Sequence, residues 1–438
     1  MDNTGVLSPA LGQAAAYLRQ ASLRHGALVK NSGAIAIGTG ASAVLGFAYW
    51  WLAARSFSPE AIGKASALLS LMAFVGTLGE AGLGTLLTGE IVRQPERQRG
   101  LVAAAALAGL SMALVLGGVA LLLLGGLGAM GGVSSSALAD LWLVIGCALT
   151  GLGMVLDQAF VGMLRSAIRM LRQLFFSAGK LALLAVVALW AGDEASILMT
   201  WVVALAVSLA FAEVLARRSG GSLIHRPDFM QLRALKRKAA HHYMLDLGIL
   251  APSVIMPYLV TVLLSPTSNA AFTVIWMVVQ VASMVPAAMA TVLFPVIRLE
   301  PDQYRDKMIL SLGASLAFAI AGSFLVLMFS TEILRLFNPV YAEIGGTSLQ
   351  LLGFGLIGLV LKFHVCTGAR LRNSMRQASL WFCVGGLFEL ACAIIGSRLG
   401  GLEGLVIGWV AGVVIEGAIM LLVAVFVVQW TRVETSHP

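Results

Sequence analysis

Apolar stretches of about 20 residues or more recur along the whole chain, separated by short polar connectors. Each is long enough to cross ~30 Å of hydrocarbon as a helix. Period-two alternation is absent, which argues against a membrane β-barrel. The pattern predicts an all-α polytopic membrane protein with 12 transmembrane helices, at about 31–54, 61–91, 101–124, 137–163, 173–191, 196–216, 241–264, 270–297, 308–329, 344–367, 378–397 and 404–429.

The connectors alternate in charge. Arg93, Arg97 and Arg99 are followed by the uncharged Gly131–Ser136 run, then by Arg165, Arg169 and Arg172, the acidic Asp193-Glu194, and a basic stretch from Arg217 to Lys238. Of 29 Lys and Arg residues, only Arg55, Lys64, Arg335 and Arg398 fall on the other side, and Lys180 and Lys362 lie inside spans. This positive-inside bias places both termini in the cytoplasm. Composition agrees: 59% of residues are hydrophobic and 11% charged, against roughly 25% charged in soluble chains. The net charge of +8 is accounted for by topology rather than nucleic-acid binding. Cys147, Cys366, Cys383 and Cys392 lie within spans at spacings matching no metal motif or disulfide framework, so they read as packing residues. Residues 1–30 lack a cleavable signal, and the first span serves as an uncleaved insertion signal. Leu11, Tyr17, Leu18 and Leu23 suggest a short helix on the cytoplasmic surface.

The chain also repeats itself. Ser58-Pro59 recurs as Ser265-Pro266, Leu164-Arg165 as Leu371-Arg372, and Arg169 as Arg376, all at an offset of 207. Six spans per half gives two bundles of the same orientation related by an axis along the membrane normal, an arrangement used by alternating-access transporters. The expected division is a cytoplasmic tail at 1–30, a first bundle at 31–219, a cytoplasmic linker at 220–239, a second bundle at 240–430 and a tail at 431–438.

Several runs resemble a known family. Ala54–Gly63 (ARSFSPEAIG) and Leu78–Gly84 (LGEAGLG), then Val285-Pro286, Phe294-Pro295, Ile333–Phe337 with Tyr341, and Gly400–Gly404, resemble the Wzx-type polysaccharide flippases of the multidrug/oligosaccharidyl-lipid/polysaccharide exporter superfamily. Glu80 stands where that family usually has aspartate. The resemblance implies a V-shaped, pseudo-twofold pair of six-helix bundles in the bacterial cytoplasmic (inner) membrane. The implied activity moves an undecaprenyl-diphosphate-linked oligosaccharide to the outer leaflet. Expected partners are that substrate, membrane lipids and other polysaccharide assembly proteins, with no nucleic acid. No cofactor is expected beyond coupling to a proton or sodium gradient.

Carrying a sugar diphosphate through hydrocarbon requires a polar groove, because unpaired polar groups cost several kcal/mol there. Arginine suits the phosphates. Candidate substrate contacts are Arg55, Arg165, Arg169, Arg172, Lys180, Arg372 and Arg376, with topology and anionic-lipid contact as the competing reading for the connector arginines. Ionisable residues within spans are coupling or cavity candidates: Glu80, Asp157, Asp246, Lys362, His364, Glu389 and Glu416. Asp157 and Lys180 lie ~12 Å from their cytoplasmic ends on consecutive helices, within reach of an ion pair. Lys362 reads as a snorkelling side chain and His364 as a packed, hydrogen-bonded one. Glu80 suits a coupling ion or a backbone hydrogen bond, and Glu213 an interfacial pair with Arg217. Span-two glycines (Gly76, Gly79, Gly82, Gly84, Gly89) suit close packing or a hinge. Pro252, Pro257, Pro286 and Pro295 mark the helices expected to bend.

A drug or cation antiporter of the same fold is the alternative function, and a membrane glycosyltransferase or polymerase a more distant one. Short outer connectors and the absence of a P-loop or nucleophile elbow argue against an enzyme.

Overall fold

The computed structural model describes residues 33–93, 98–126, 133–134, 136–190, 192–299, 303–372 and 375–427. The expected N-terminal surface helix and the C-terminal tail lie outside these residues. The elements in order are α1 (Gly33–Ser56), α2 (Pro59–Glu80), α3 (Leu83–Arg93), α4 (Gln98–Gly126), α5 (Ala137–Gly162), α6 (Ser166–Val187), α7 (Glu194–Arg218), α8 (Phe229–Leu263), α9 (Pro266–Leu299), α10 (Tyr304–Phe337), α11 (Pro339–Gly353), α12 (Gly355–Leu371) and α13 (Met375–Leu422), which ends in a π turn. Among the described residues there is no strand. Among the described residues nine helices are long and apolar enough to cross a membrane, or ten if the pair α11–α12, bent by 41°, counts as one span. Among the described residues helix covers most of each expected span, but not one to one. Spans eleven and twelve share α13, which breaks at Gly400 and Gly401 (φ 58°). Span seven is the apolar half, Leu247–Leu263, of the longer α8.

Helices α2 to α7 pack into one lobe and α8 to α13 into another. Two starts show how sequence sets the local structure. Ser58 caps α2 by accepting the Ala61 amide at 3.2 Å, and Ser265 accepts the Ser268 amide at 3.1 Å, with proline following each. A hydroxyl before a first-turn proline meets the orphan donors of a helix start. The two Ser-Pro copies therefore do the same job in the two lobes.

Central placement belongs to α2. It is apolar on every face, and 78% of its apolar window is buried, against 17% for α4. A helix apolar all round is a buried helix. It carries most of the contact between lobes, through α8 and α9.

The expected second span, 61–91, is interrupted. Ala81 (φ 50°) and Gly82 (φ 73°) break the helix between α2 and α3. The linker is also more ordered than a loop. Asp228 caps α8 by accepting the Gln231 amide at 3.0 Å, and its own amide donates to Gly100 O at 3.0 Å. Leu232 and Leu235 then pack beneath the first lobe.

Candidate functional site

The lobes share a continuous apolar core at one end. At the end where α2 and α9 begin, a single apolar core runs through Tyr49, Ala53, Phe57, Ile62 and Ala65 into Phe272, Ile275, Trp409 and the second lobe. Asn269 Nδ2 donates to Gly63 O at 2.9 Å and to Ser66 Oγ at 2.8 Å. Asn338 Nδ2 donates to Ala54 O at 3.2 Å, and Arg55, lying 4.5 Å over the Trp51 ring, donates to Leu336 O at 3.1 Å. At the other end, where the basic connectors lie, the cores are separate. One contains Leu87, Phe160 and Ile168, and two others contain Phe382 with Met420 and Leu293 with Tyr304. A hydrogen bond from Tyr243 to Leu78 O, at 3.2 Å, still crosses there. The lobes thus form a V whose apex is away from the basic end. Beside the cleft, an apolar groove of about 410 Å³ is lined by Phe74 and Leu78 of α2, Ala251 and Ile255 of α8, and Leu387 and Leu390 of α13.

A second lock crosses the lobes at mid-height. The Ser70 hydroxyl donates to Val254 O and accepts the Tyr258 amide at 3.3 Å. These are the two ends of an ordinary i to i−4 bond of α8, beside Pro257. A side chain inserted into the ladder is one of the few identifiable causes of helix bending. Pro252 and Pro257 lie inside α8, and Pro286 and Pro295 inside α9, and both helices run unbroken through them. The side chain of Pro295, like those of Asp246 and Arg376, lies outside the described residues.

The first lobe corrects the expected Asp157–Lys180 pair. Asp157 pairs instead with Arg172, whose Nε donates to Oδ1 at 2.7 Å and Nη2 to Oδ2, while Nη1 reaches Ser208 Oγ at 3.3 Å. Arg172 is not a connector residue: α6 starts at Ser166, so Arg172 lies nearly two turns inside and is buried. Lys180 is eight residues further on, which turns it ~80° around the helix, away from α5. It is 5% exposed and enters an aromatic box, with Nζ 3.5 Å from the Trp201 ring centroid and 5.0 Å from those of Tyr49 and Phe176. Tyr49 is held by Thr200 at 3.1 Å. Cation–π contacts contribute about 2 kcal/mol when desolvated. Among the described residues Lys180 makes no salt bridge.

The second lobe overturns the snorkelling expectation for Lys362. Its helix, α12, is buried on nearly every face, so no lipid-facing route leads to the interface. Lys362 (3% exposed) donates to Glu389 Oε1 and, at 3.0 Å, to Glu416 Oε2. Trp409 Nε1 donates to Glu389 Oε2 at 3.1 Å. His364 is not in this cluster: it bonds Ser311 Oγ at 3.1 Å and Val360 O at 2.9 Å, as a packed histidine should.

The other candidates make the following contacts. Glu80 accepts the Gly82 amide at 2.9 Å and the Gly84 amide, closing the α2–α3 break. Arg165, just before α6, donates to Ser219 O at 3.3 Å, tying the start of α6 to the end of α7. Arg372 ends α12, 6.0 Å from the Tyr304 ring. Arg169 is half-buried, its Nε without a hydrogen-bond partner among the described residues. Glu213 pairs with Arg217 as expected and also accepts the Leu223 amide at 2.8 Å. Gly76 and Gly79 pack against Thr150 and Ala113, which favours close packing over a hinge at those positions.

The aromatic members went unread in the sequence, yet a signal existed. Trp201 and Trp409 are 208 residues apart, within one of the repeat offset, and Lys180 and Glu389 are 209 apart. The two lobes therefore hold opposite charges against matching tryptophans.

Residues 28–298 match the family model described as polysaccharide biosynthesis protein. The chain belongs to that family. Similar solved structures share its two-lobed fold. An inward-facing multidrug resistance transporter of the MATE family in the MOP superfamily has a TM-score of 0.68 at 14% identity, covering 88% of this chain and 92% of its own. A MOP superfamily transporter from Pyrococcus furiosus Vc1, described as having a binding pocket of reverse polarity, has a TM-score of 0.64 at 15% identity, covering 93% and 96%. No curated protein sequence matches significantly. The protein is therefore a multi-pass helical membrane protein of the polysaccharide biosynthesis family, with the fold of these transporters.

Proposed function

We propose that the protein flips an undecaprenyl-diphosphate-linked oligosaccharide from the inner to the outer leaflet of the bacterial cytoplasmic membrane by alternating access. The observation that carries this reading is the V of two lobes, joined at one end and opening toward the basic connectors. With those connectors in the cytoplasm, both termini are inside and the cleft faces the leaflet where a lipid-linked sugar is assembled. The apolar groove beside the cleft suits a polyprenyl tail, which stays in hydrocarbon while the head group crosses. We assign no catalytic step to the chain.

The second reading, a drug or cation antiporter, draws on the multidrug transporters of the same fold. The Lys180 box weighs against it. An aromatic cage is what an organic cation would bind, and in this protein the cage is filled by the chain's own lysine.

Deleting the gene in its host is the test. The expected result is loss of surface glycan with lipid-linked oligosaccharide accumulating on the cytoplasmic side. Normal glycan with altered drug sensitivity would contradict the flippase reading and favour the antiporter.

A further inference from the structure

The Lys362 cluster does not balance in charge. Lys362 offers one positive charge to two buried carboxylates, Glu389 at 1% exposure and Glu416 at 4%. Taking an unpaired charge out of water costs several kcal/mol, so such a group is neutralised. The hydrogen bonds show which carboxyl is the ion. Glu389 has both oxygens engaged, one by Lys362 and one by Trp409 Nε1. Glu416 uses only Oε2, on Lys362, and its Oε1 has no hydrogen-bond partner among the described residues. Both carboxyl groups nonetheless converge on the one ammonium, Lys362 Nζ, which brings them close to each other. Two carboxylates cannot hydrogen-bond, whereas a carboxylic acid and a carboxylate can.

We propose that Glu416 binds an exchangeable proton, shared with Glu389, making the Lys362–Glu389–Glu416 cluster the proton-binding site of the second lobe. On the flippase reading this is where a proton gradient enters the transport cycle. Among the described residues the surroundings supply no competing ion. On α12 the cluster meets Lys362; on α13 it meets Glu389, Glu416 and Trp409, with Cys392 a turn beyond Glu389. From α9 comes Trp276, 4.8 Å from the Trp409 ring. His364 turns away to Ser311 on α10. A cavity also approaches the cluster to within about a helical turn. It measures about 70 Å³, lies at the basic end and is lined by Val365, Arg372, Gln377, Phe382 and Met420, which leaves room for a water or two. Met420 is one turn from Glu416, Val365 one turn from Lys362, and the Phe382 ring lies 6.0 Å from Lys362 Nζ.

Infrared spectroscopy of the full-length protein in lipid vesicles tests this without any substrate, so its outcome is separable from that of the flippase reading. At neutral pH the wild type should show the carbonyl stretch of a protonated carboxyl that shifts in D2O. Glu416→Gln should remove it. Glu389→Gln should remove it too, because Glu416 then ionises to balance Lys362. Glu213→Gln, at a helix end, should leave it intact. Absence of the band from the wild type, or its retention in Glu416→Gln or Glu389→Gln, overturns the proposal.

Discussion

Replacing Lys362 with methionine will cost the protein about 3–5 kcal/mol, the range for leaving a buried charge without its partner. That is a large share of the 5–15 kcal/mol that holds a typical domain. The cause is local: Lys362 is buried, α12 has no lipid-facing route for water, and Glu389 loses the cation it is bonded to. Thermal unfolding of the detergent-solubilised protein, with the yield of monodisperse material, is the measurement. The double variant Lys362→Met/Glu389→Gln should recover most of the loss, since Glu416 alone can stay neutral and glutamine keeps an acceptor for Trp409 Nε1. If Lys362→Met unfolds like the wild type, the cluster is not a buried ion pair. If the double variant is no better than the single, charge imbalance is not the cause of the damage.

Gly63→Ala will open the apex of the V. A Cβ at Gly63 would lie 1.7 Å from Pro266 O and 2.4 Å from its carbonyl carbon, both backbone atoms with nowhere to rotate. The methyl fits only if α2 and α9 separate, which also breaks the Asn269 bonds to Gly63 O and Ser66. Overpacking of this kind costs about 1–3 kcal/mol. Charged against the closed apex alone, it shifts the balance toward apex-open states by roughly five- to 150-fold, since each 1.4 kcal/mol is a factor of ten. Pulsed dipolar distances between spin labels at exposed Glu60 and Leu336, in a cysteine-free background, should lengthen. Gly40→Ala, where a Cβ meets nothing within 4 Å, should leave them unchanged. An unaltered distribution in Gly63→Ala would mean the apex contact does not set how far apart the lobes stand.

Much of this architecture was readable from the chain. Apolar length and connector charge gave the helical membrane class, and the Ser-Pro repeats marked two helix starts because capping is a local interaction. That the two copies pack against each other, Gly63 on Pro266, was not readable, since periodicity locates helix ends without assigning neighbours. Depth along a helix was calculable and face was not, which is why Lys180 was matched to Asp157 when Arg172 holds it. Hydropathy also drew the fifth span from 173, cutting Arg169 and Arg172 out of a helix that begins at Ser166. Lys362 was misjudged because snorkelling presumes a lipid-facing helix, and α12 is enclosed by its neighbours. Glu80 and Glu213, whose partners lie within ten residues, were among the candidates closest to their expected roles.

The central claim is that this chain moves a lipid-linked oligosaccharide between leaflets. The direct measurement uses purified protein in vesicles containing undecaprenyl-diphosphate-linked oligosaccharide, with an added glycosidase that reaches only the outer leaflet. Protein-free vesicles should expose about the outer leaflet's share of the glycan, and vesicles containing the protein should expose nearly all of it. Equal cleavage with and without the protein would contradict the account.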